Sequence, residues 1–196
     1  MVWMISPNCE DFIANTGFDI QQYLIDSFAK RMGHTEEDAF VNGDGKKTPT
    51  GILAAEGGAE IGVATTAITY DDVIGLFFSV KEEYRKNGVW MMNGKTALAL
   101  RTLKDADGNY IWNHTNDTIL DKRVVICNAM PDAAAREKPI AFGDFSYYWI
   151  VQRIRFTAKV MEELYALHQQ VGYLGYEHLD GKLIRPEAIK VIQITE

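Results

Sequence analysis

Apolar side chains recur at every fourth position over residues 19–41, and no other feature of the sequence constrains the fold as strongly. The stripe consists of Ile20, Leu24, Phe28 and Met32, with Ile25 and Ala29 beside it. This spacing matches the 3.6-residue period of an α-helix, so it predicts a long amphipathic helix with one buried face. The glycine-rich run at 42–45 predicts where that helix ends.

The rest of the chain alternates between shorter helical and extended patterns. Helices are predicted at residues 69–85, with Thr69 as the N-cap, and at 95–103. Strands are predicted around residues 3–5 and at 89–93, 122–127, 139–142, 145–151, 153–156, 171–176 and 188–194. The glycine-rich residues 43–62 are predicted to form an exposed connection. Together these patterns predict an α+β fold that is weighted toward strands in its second half.

The composition narrows the classes of function. The chain has 196 residues, 47% of them hydrophobic, and a formal net charge of -7, so it can bury a core but offers no general basic surface to nucleic acid. Its two cysteines, Cys9 and Cys127, have neither a disulfide-framework spacing nor a metal-ligand spacing. No apolar run is long enough to cross a bilayer, and the first residues lack the basic region of a secretion signal. We therefore expect no membrane association.

One short motif invites a catalytic interpretation. Gly94, Lys95 and Thr96 follow an apolar strand and precede a helix, as in a nucleotide-binding phosphate loop. That loop has four residues between its glycines, whereas five lie between Gly88 and Gly94, so we expect a capped helix start instead. A nucleotide- or phosphate-binding α/β enzyme stays open as the alternative from another class. The sequence predicts no cofactor, no metal site and no catalytic residue, which is typical of a protein that builds interfaces.

Several longer motifs carry a family resemblance because they occur in a fixed order over almost the whole chain. They are FDIQQYLIDSFAKRM at 18–32, EEDAFVNGDG at 36–45, TGIL at 50–53, VVICNAMP at 124–131, IAFGDFSYYWIV at 140–151, MEELY at 161–165 and DGKLIRPEAIKV at 180–191. In this order they resemble the major capsid proteins of tailed phages and prophages of the Hong Kong 97 type.

The resemblance implies an α+β fold with two domains. A peripheral domain, residues 1–56 and 143–180, would hold the long spine helix at about 19–41 and a sheet. An axial domain, residues 57–142 and 181–196, would hold a central sheet flanked by helices. Neighbouring subunits would meet at an axial tip around 113–117 and at a peripheral tip near 160–170. The interface candidates at these tips are Asn113, His114, Asn116, Asp117, Met161, Glu162, Glu163, His168 and Gln169.

The resemblance also implies a function. It predicts a structural coat subunit, not an enzyme, that self-assembles into pentamers and hexamers of an icosahedral shell enclosing DNA. The implied partners are other copies of itself and the portal, scaffold and maturation protease of the phage, with no specific nucleic-acid recognition. The implied location is the virion capsid, assembled in the bacterial cytoplasm. An encapsulin-like bacterial compartment shell stays open as an alternative within the same fold.

Two parts of the family pattern have no counterpart in this sequence. The family carries an N-terminal arm and an extended hairpin loop before the spine helix, so this chain resembles the C-terminal part of a coat protein. We expect such a chain to fold and to assemble weakly, as monomers or small rings. The family prototype also joins subunits through a Lys to Asn isopeptide bond, which we do not expect here because the hairpin that carries the lysine is not matched.

Overall fold

The structure is a computed structural model that describes residues 2–9, 20–104, 108–110, 112–113, 115–161, 163–164, 167 and 170–195. The helices are α1 (Ile20–Asn42), α2 (Tyr70–Ser79), α3 (Glu82–Arg85) and α4 (Gly94–Thr102). The strands are β1 (Val2–Cys9), β2 (Glu60–Thr65), β3 (Val89–Met92), β4 (Trp112–Asn113), β5 (Thr118–Ile119), β6 (Lys122–Ile126), β7 (Ile140–Gly143), β8 (Tyr148–Met161), β9 (Gln170–Leu183) and β10 (Ile189–Ile194). The predicted α+β class is confirmed.

The chain divides into two compact units, each made of two segments. Unit 1 comprises Met1–Glu36 and Ile150–Asp180, and unit 2 comprises Glu37–Trp149 and Gly181–Glu196. These bounds describe how the chain packs. The peripheral and axial domains are positions in an assembly, and their assignment to residue ranges stays a prediction.

Unit 1 combines a three-stranded sheet with most of helix α1. The strand order is β1-β9-β8, and β1 runs antiparallel to β9 with Val2 opposite Tyr176. The strand predicted around residues 3–5 therefore finds its partner at the far end of the chain. Phe28 and Met32 of α1 are buried, as the fourfold spacing predicts. The long helix itself, predicted at about 19–41, is confirmed at Ile20–Asn42.

Unit 2 is built around a seven-stranded sheet in the order β2-β10-β7-β3-β6-β5-β4. It mixes parallel pairs, β2 with β10 and β3 with β6, with antiparallel pairs among the others. Alternate residues of a strand point to opposite faces, and this sorts the core into two layers. Ile140 and Phe142 of β7 join the layer that contains Trp90, whereas Ala141 joins the layer that contains Leu183.

The segment after α1 corrects one prediction. Residues 43–62 were predicted to be an exposed connection, but Pro49, Gly51 and Ile52 are buried. The reason is a dense turn: the amide of Gly51 donates to the Gly43 carbonyl at 2.9 Å. A Cβ atom at Gly43 would lie 2.1 Å from the Pro49 carbonyl oxygen, so only glycine fits there.

The single helix predicted at residues 69–85 is also wrong, because the structure has two helices there. Thr69 caps α2 as predicted: its side chain accepts from the Asp72 amide, and the Asp72 carboxylate accepts from the Thr69 amide at 2.9 Å. α2 then ends because Val80, fully buried in the core, adopts extended backbone angles (φ -81°, ψ 134°). Burial of this one side chain overrides the helical pattern that continues on either side of it.

The strands predicted at 145–151 and 153–156 are replaced by a short 3₁₀ turn and one long strand. Asp144 accepts a hydrogen bond from the Ser146 amide at 3.0 Å, which stabilises the 3₁₀ turn Phe145–Tyr147. β8 then continues without a break from Tyr148 to Met161. The strand predicted at 171–176 is likewise longer in the structure, because β9 extends to Leu183.

Candidate functional site

The predicted axial tip is a small β-hairpin of unit 2. β4 and β5 pair antiparallel, with Trp112 opposite Ile119 and Asn113 opposite Thr118. Trp112 and Ile119 are both buried, and the Trp90 indole donates to the Ile119 carbonyl at 3.0 Å. The hairpin is therefore fastened to the core at its base, while its turn faces solvent.

An ionic and aromatic cluster holds the turn of this hairpin in place. The Asp117 carboxylate accepts a hydrogen bond from the Trp112 indole at 2.8 Å and a second from the Arg101 guanidinium. The Arg101 guanidinium also lies over the Trp112 ring, 4.8 Å from its centroid. Asp117 has a φ of 57°, a left-handed conformation that Asp and Asn tolerate better than most residues. We call Arg101, Trp112 and Asp117 the tip clamp.

Two of the remaining axial candidates lie among the described residues, and one does not. Asn113 belongs to β4, and Asn116 is exposed in the turn that the tip clamp holds. His114 lies outside the described residues. Asp117 is thus an internal support of the tip as well as part of its surface. The sequence does not indicate a role for Arg101, since no motif spacing links the end of α4 to a residue in a later loop.

The predicted peripheral tip presents apolar side chains to solvent. Glu163 is exposed and Met161 is half-buried, whereas Glu162, His168 and Gln169 lie outside the described residues. The exposed side chains that the prediction overlooked are Leu164 and Leu167, the latter 99% exposed. Single exposed leucines are ordinary on protein surfaces, whereas several exposed apolar side chains close together mark interaction sites.

A second apolar surface flanks the tip clamp. Leu98 of α4 is 65% exposed and Ile126 of β6 is 50% exposed, and both line a shallow cleft with Arg101 and Trp112. No sequence pattern indicates this surface, because both residues lie in ordinary helix and strand patterns.

The phosphate-loop alternative fails on geometry. The Asn93 side chain accepts from the Thr96 amide at 2.8 Å, so it occupies the helix end where a phosphate would bind. Its amide donates to the Pro131 carbonyl at 3.0 Å and to Asp132 at 2.7 Å. The Lys95 ammonium is paired with the Asp132 carboxylate at 2.5 Å, which lowers the pKa of Asp132. The predicted capped helix start is confirmed.

Other reactive features are few in the part of the chain that the structure describes. That part contains no group of three His, Cys, Asp or Glu side chains able to hold a metal ion. It also contains no helix that is long and apolar enough to span a membrane. Burial and a hydrogen bond with Glu37 raise the pKa of the Cys127 thiol to about 11, so the thiol stays protonated and unreactive at neutral pH.

A carboxyl pair in unit 1 has an unusual proton affinity. Glu36 of α1 shares a hydrogen bond with Glu177 of β9, whose side chain is 3% exposed. This hydrogen bond, with desolvation and the charge of Glu177, raises the pKa of Glu36 to about 7. At pH 7 the Glu36 carboxyl is therefore protonated about half of the time.

The family model described as "Phage capsid family" matches residues 4–194. The chain belongs to the phage capsid family. Among solved structures, this phage capsid chain aligns over 100% of its length with the capsid of an empty GTA particle and of a native GTA particle, both computed with C5 symmetry. The TM-score is 0.86 for both, the identities are 28% and 29%, and the alignments cover 73% and 72% of those chains.

A chain of Microbacterium phage Oxtober96 shares the fold at lower identity. The alignment covers 98% of this phage capsid chain and 71% of the other, with a TM-score of 0.76 and 20% identity. No curated protein sequence matches this chain.

Family membership and fold together establish what kind of protein this is. It is a structural capsid subunit of a tailed phage or a GTA-like particle, with the Hong Kong 97-type fold, and its place is the virion capsid. Such a subunit is not an enzyme, which removes the nucleotide-binding alternative. The family match also favours a virion capsid over the encapsulin-like compartment.

Proposed function

We propose that this capsid subunit forms pentameric and hexameric rings of an icosahedral shell that encloses DNA. In a ring each subunit buries one patch against a different patch of its neighbour, so the contacts are heterologous. The axial tip, residues 113–117, would surround the ring axis, and the peripheral tip, residues 160–170, would meet neighbouring rings. The C5 symmetry with which the GTA capsid was computed supports a fivefold arrangement.

The observation that carries the axial assignment is the tip clamp. A hairpin turn that crowds against its copies around an axis needs a fixed shape, because a mobile turn would lose conformational entropy on assembly. Asp117 fixes the turn through two hydrogen bonds, and Trp112 anchors it in the core. The exposed Leu98 and Ile126 beside the clamp supply apolar area for a neighbouring subunit.

The peripheral assignment is supported by the exposed leucines. Burying one leucine against a neighbour stabilises a contact by about 1.5–3 kcal/mol. Leu164 and Leu167, together with Met161 and Glu163, therefore offer an apolar contact with an acidic rim. We assign to this surface the contacts between rings.

We further propose that the shell assembles in the bacterial cytoplasm with a portal, a scaffold and a maturation protease. This follows from the resemblance of the chain to tailed-phage coat proteins. Co-expression with the portal, scaffold and protease genes of the same genome should raise the yield of closed particles above that from the coat gene alone. An unchanged yield would contradict this part.

Cysteine crosslinking around the ring axis tests the axial assignment. Asn116→Cys places a thiol on the exposed turn, and a short bifunctional maleimide should then join copies into covalent dimers, because each copy carries one thiol at this position. Lys46→Cys, on another exposed turn of unit 2, is the matched control and should give no such dimers. The unsubstituted chain reports crosslinks from Cys9 and Cys127. Equal patterns from the two variants would overturn the assignment.

A further inference from the structure

Strand β8 forms one edge of the three-stranded sheet of unit 1. In the order β1-β9-β8 it has a single neighbouring strand among the described residues. Exposure along it is high: Ile150 is 54% exposed and Val151 is 64% exposed, and most residues up to Val160 are also exposed. A long edge strand with apolar side chains is a ready template for another strand, since its outer backbone N–H and C=O groups are available for pairing.

The two faces of β8 differ in chemistry. Because side chains alternate, one face carries the cations Arg153, Arg155 and Lys159 together with Val151, Thr157 and Met161, and the range 150–161 contains no Asp or Glu. The other face carries the apolar residues Ile150, Ile154, Phe156, Ala158 and Val160, with Gln152 among them. β8 is thus basic on one side and apolar on the other.

Contacts with β9 show which face of β8 is turned toward α1. A Cβ atom at Gly175 would lie 2.9 Å from the Phe156 ring and 3.7 Å from the Phe28 ring, so the apolar face is turned toward α1. The Lys159 ammonium lies 5.8 Å from the centroid of the Tyr176 ring, on the opposite face of β9. The basic face therefore points away from the helix.

We propose that the outer edge of β8, over residues 150–159, binds an extended acidic polypeptide segment by strand addition. Directly paired residues of two strands share a face, so the bound segment alternates acidic and apolar residues. Its carboxylates would lie beside Arg153 and Arg155, and its apolar residues would extend the face that covers α1. The residues of this surface are not those assigned to the two tips, and binding there does not depend on ring formation.

Charge argues against two other ligands for the outer edge of β8, a second copy of β8 and DNA. A second copy of β8 would place Arg153, Arg155 and Lys159 next to the same cations, and like charges on paired strands destabilise the pairing. DNA would be attracted to the basic face alone, leaving the apolar face and the backbone edge unused, and the net charge of -7 opposes it. An acidic strand uses the backbone edge and both faces.

Peptide binding to the full chain tests this proposal. The probe is a short fluorescent peptide that alternates glutamate and valine, with binding followed by fluorescence anisotropy. Saturable binding is expected, and Arg153→Glu/Arg155→Glu should weaken it about tenfold, because two attractive cross-strand pairs become repulsive. Lys46→Glu/Lys47→Glu makes the same charge change on a loop of unit 2 and should leave affinity within about twofold.

A second probe separates strand pairing from charge attraction. The same peptide with alternate backbone amides N-methylated keeps every side chain but cannot pair as a strand, and should also bind about tenfold more weakly. This comparison uses the unsubstituted chain, so it holds even if the double variant fails to fold. Equal affinity of the methylated peptide, equal affinity for a lysine–valine peptide, tighter binding of a DNA oligonucleotide, or no saturable binding would each overturn the proposal.

Discussion

Replacing Glu36 by glutamine should remove a pH-dependent loss of stability. Glu36 and Glu177 face each other as a hydrogen-bonded carboxyl pair in unit 1, with Glu177 buried. When both are ionised, two negative charges share a site with little water, and this is unfavourable. Glutamine keeps the size and the hydrogen-bonding capacity of a protonated glutamic acid but cannot ionise.

The size of the effect follows from the pKa. The pKa of Glu36 rises from 4.5 to about 7 on folding, a change worth at most about 3 kcal/mol, and screening by water at the partly exposed Glu36 carboxyl reduces it to about 1–3 kcal/mol. Since the folded chain holds the proton more tightly, the stabilisation is fully present below about pH 4.5 and is lost as the pH rises through about 7. Glu36→Gln should therefore match the parent chain near pH 4 and exceed its stability by about 1–3 kcal/mol near pH 8.

Thermal unfolding of the unassembled chain, followed by far-UV circular dichroism at several pH values, measures this difference. A gain of about 1–3 kcal/mol corresponds to a Tm increase of about 2–12 °C near pH 8 for a chain of this length. Glu56→Gln, on an exposed turn, is the matched control and should leave Tm unchanged at every pH. A Tm difference for Glu36→Gln that is constant across pH, or largest at pH 4, would refute the reasoning.

Three further substitutions test the supports of the fold. Asp117→Asn removes the charge that binds Arg101 and should cost about 1 kcal/mol, seen as faster hydrogen exchange in the 112–119 hairpin. Gly33→Ala, in the interior of α1 with no heavy atom within 4 Å of the new Cβ, should raise stability by about 0.5–1 kcal/mol. Gly43→Ala should abolish folding of the turn, because its Cβ would lie 2.1 Å from the Pro49 carbonyl oxygen. Urea denaturation measures both glycine variants. Unchanged exchange in Asp117→Asn, or equal effects at the two glycines, would contradict these assignments.

Helices and caps that depend on residues close together in the chain could be predicted from the sequence. The stripe that contains Phe28 and Met32 defines α1 because helix periodicity depends only on residues three and four apart. The Thr69 cap was found for the same reason, since its partner Asp72 is three residues away. The sequence predicts Asn93 as the last residue of the strand 89–93, whereas in the structure its side chain caps α4. The capped start of that helix is itself as predicted.

Features that depend on distant residues could not be predicted. Arg101 and Asp117 meet across a loop, and no short pattern relates them. Val80 interrupts a helical pattern because the core of unit 2 takes up its side chain, which is a tertiary effect. The alternation of basic and apolar residues along β8 is visible in the sequence. Its position at a sheet edge is not, because that position depends on pairing with β9.

A cryo-electron microscopy reconstruction of particles that contain this chain would test the central claim most directly. The claim is that the chain is a coat subunit whose clamped hairpin, residues 112–119, surrounds the axis of each ring. The reconstruction should show five- and sixfold rings in which Asn116 and its copies lie nearest the axis. Closed rings with this hairpin far from the axis, or particles without ring symmetry, would contradict the account.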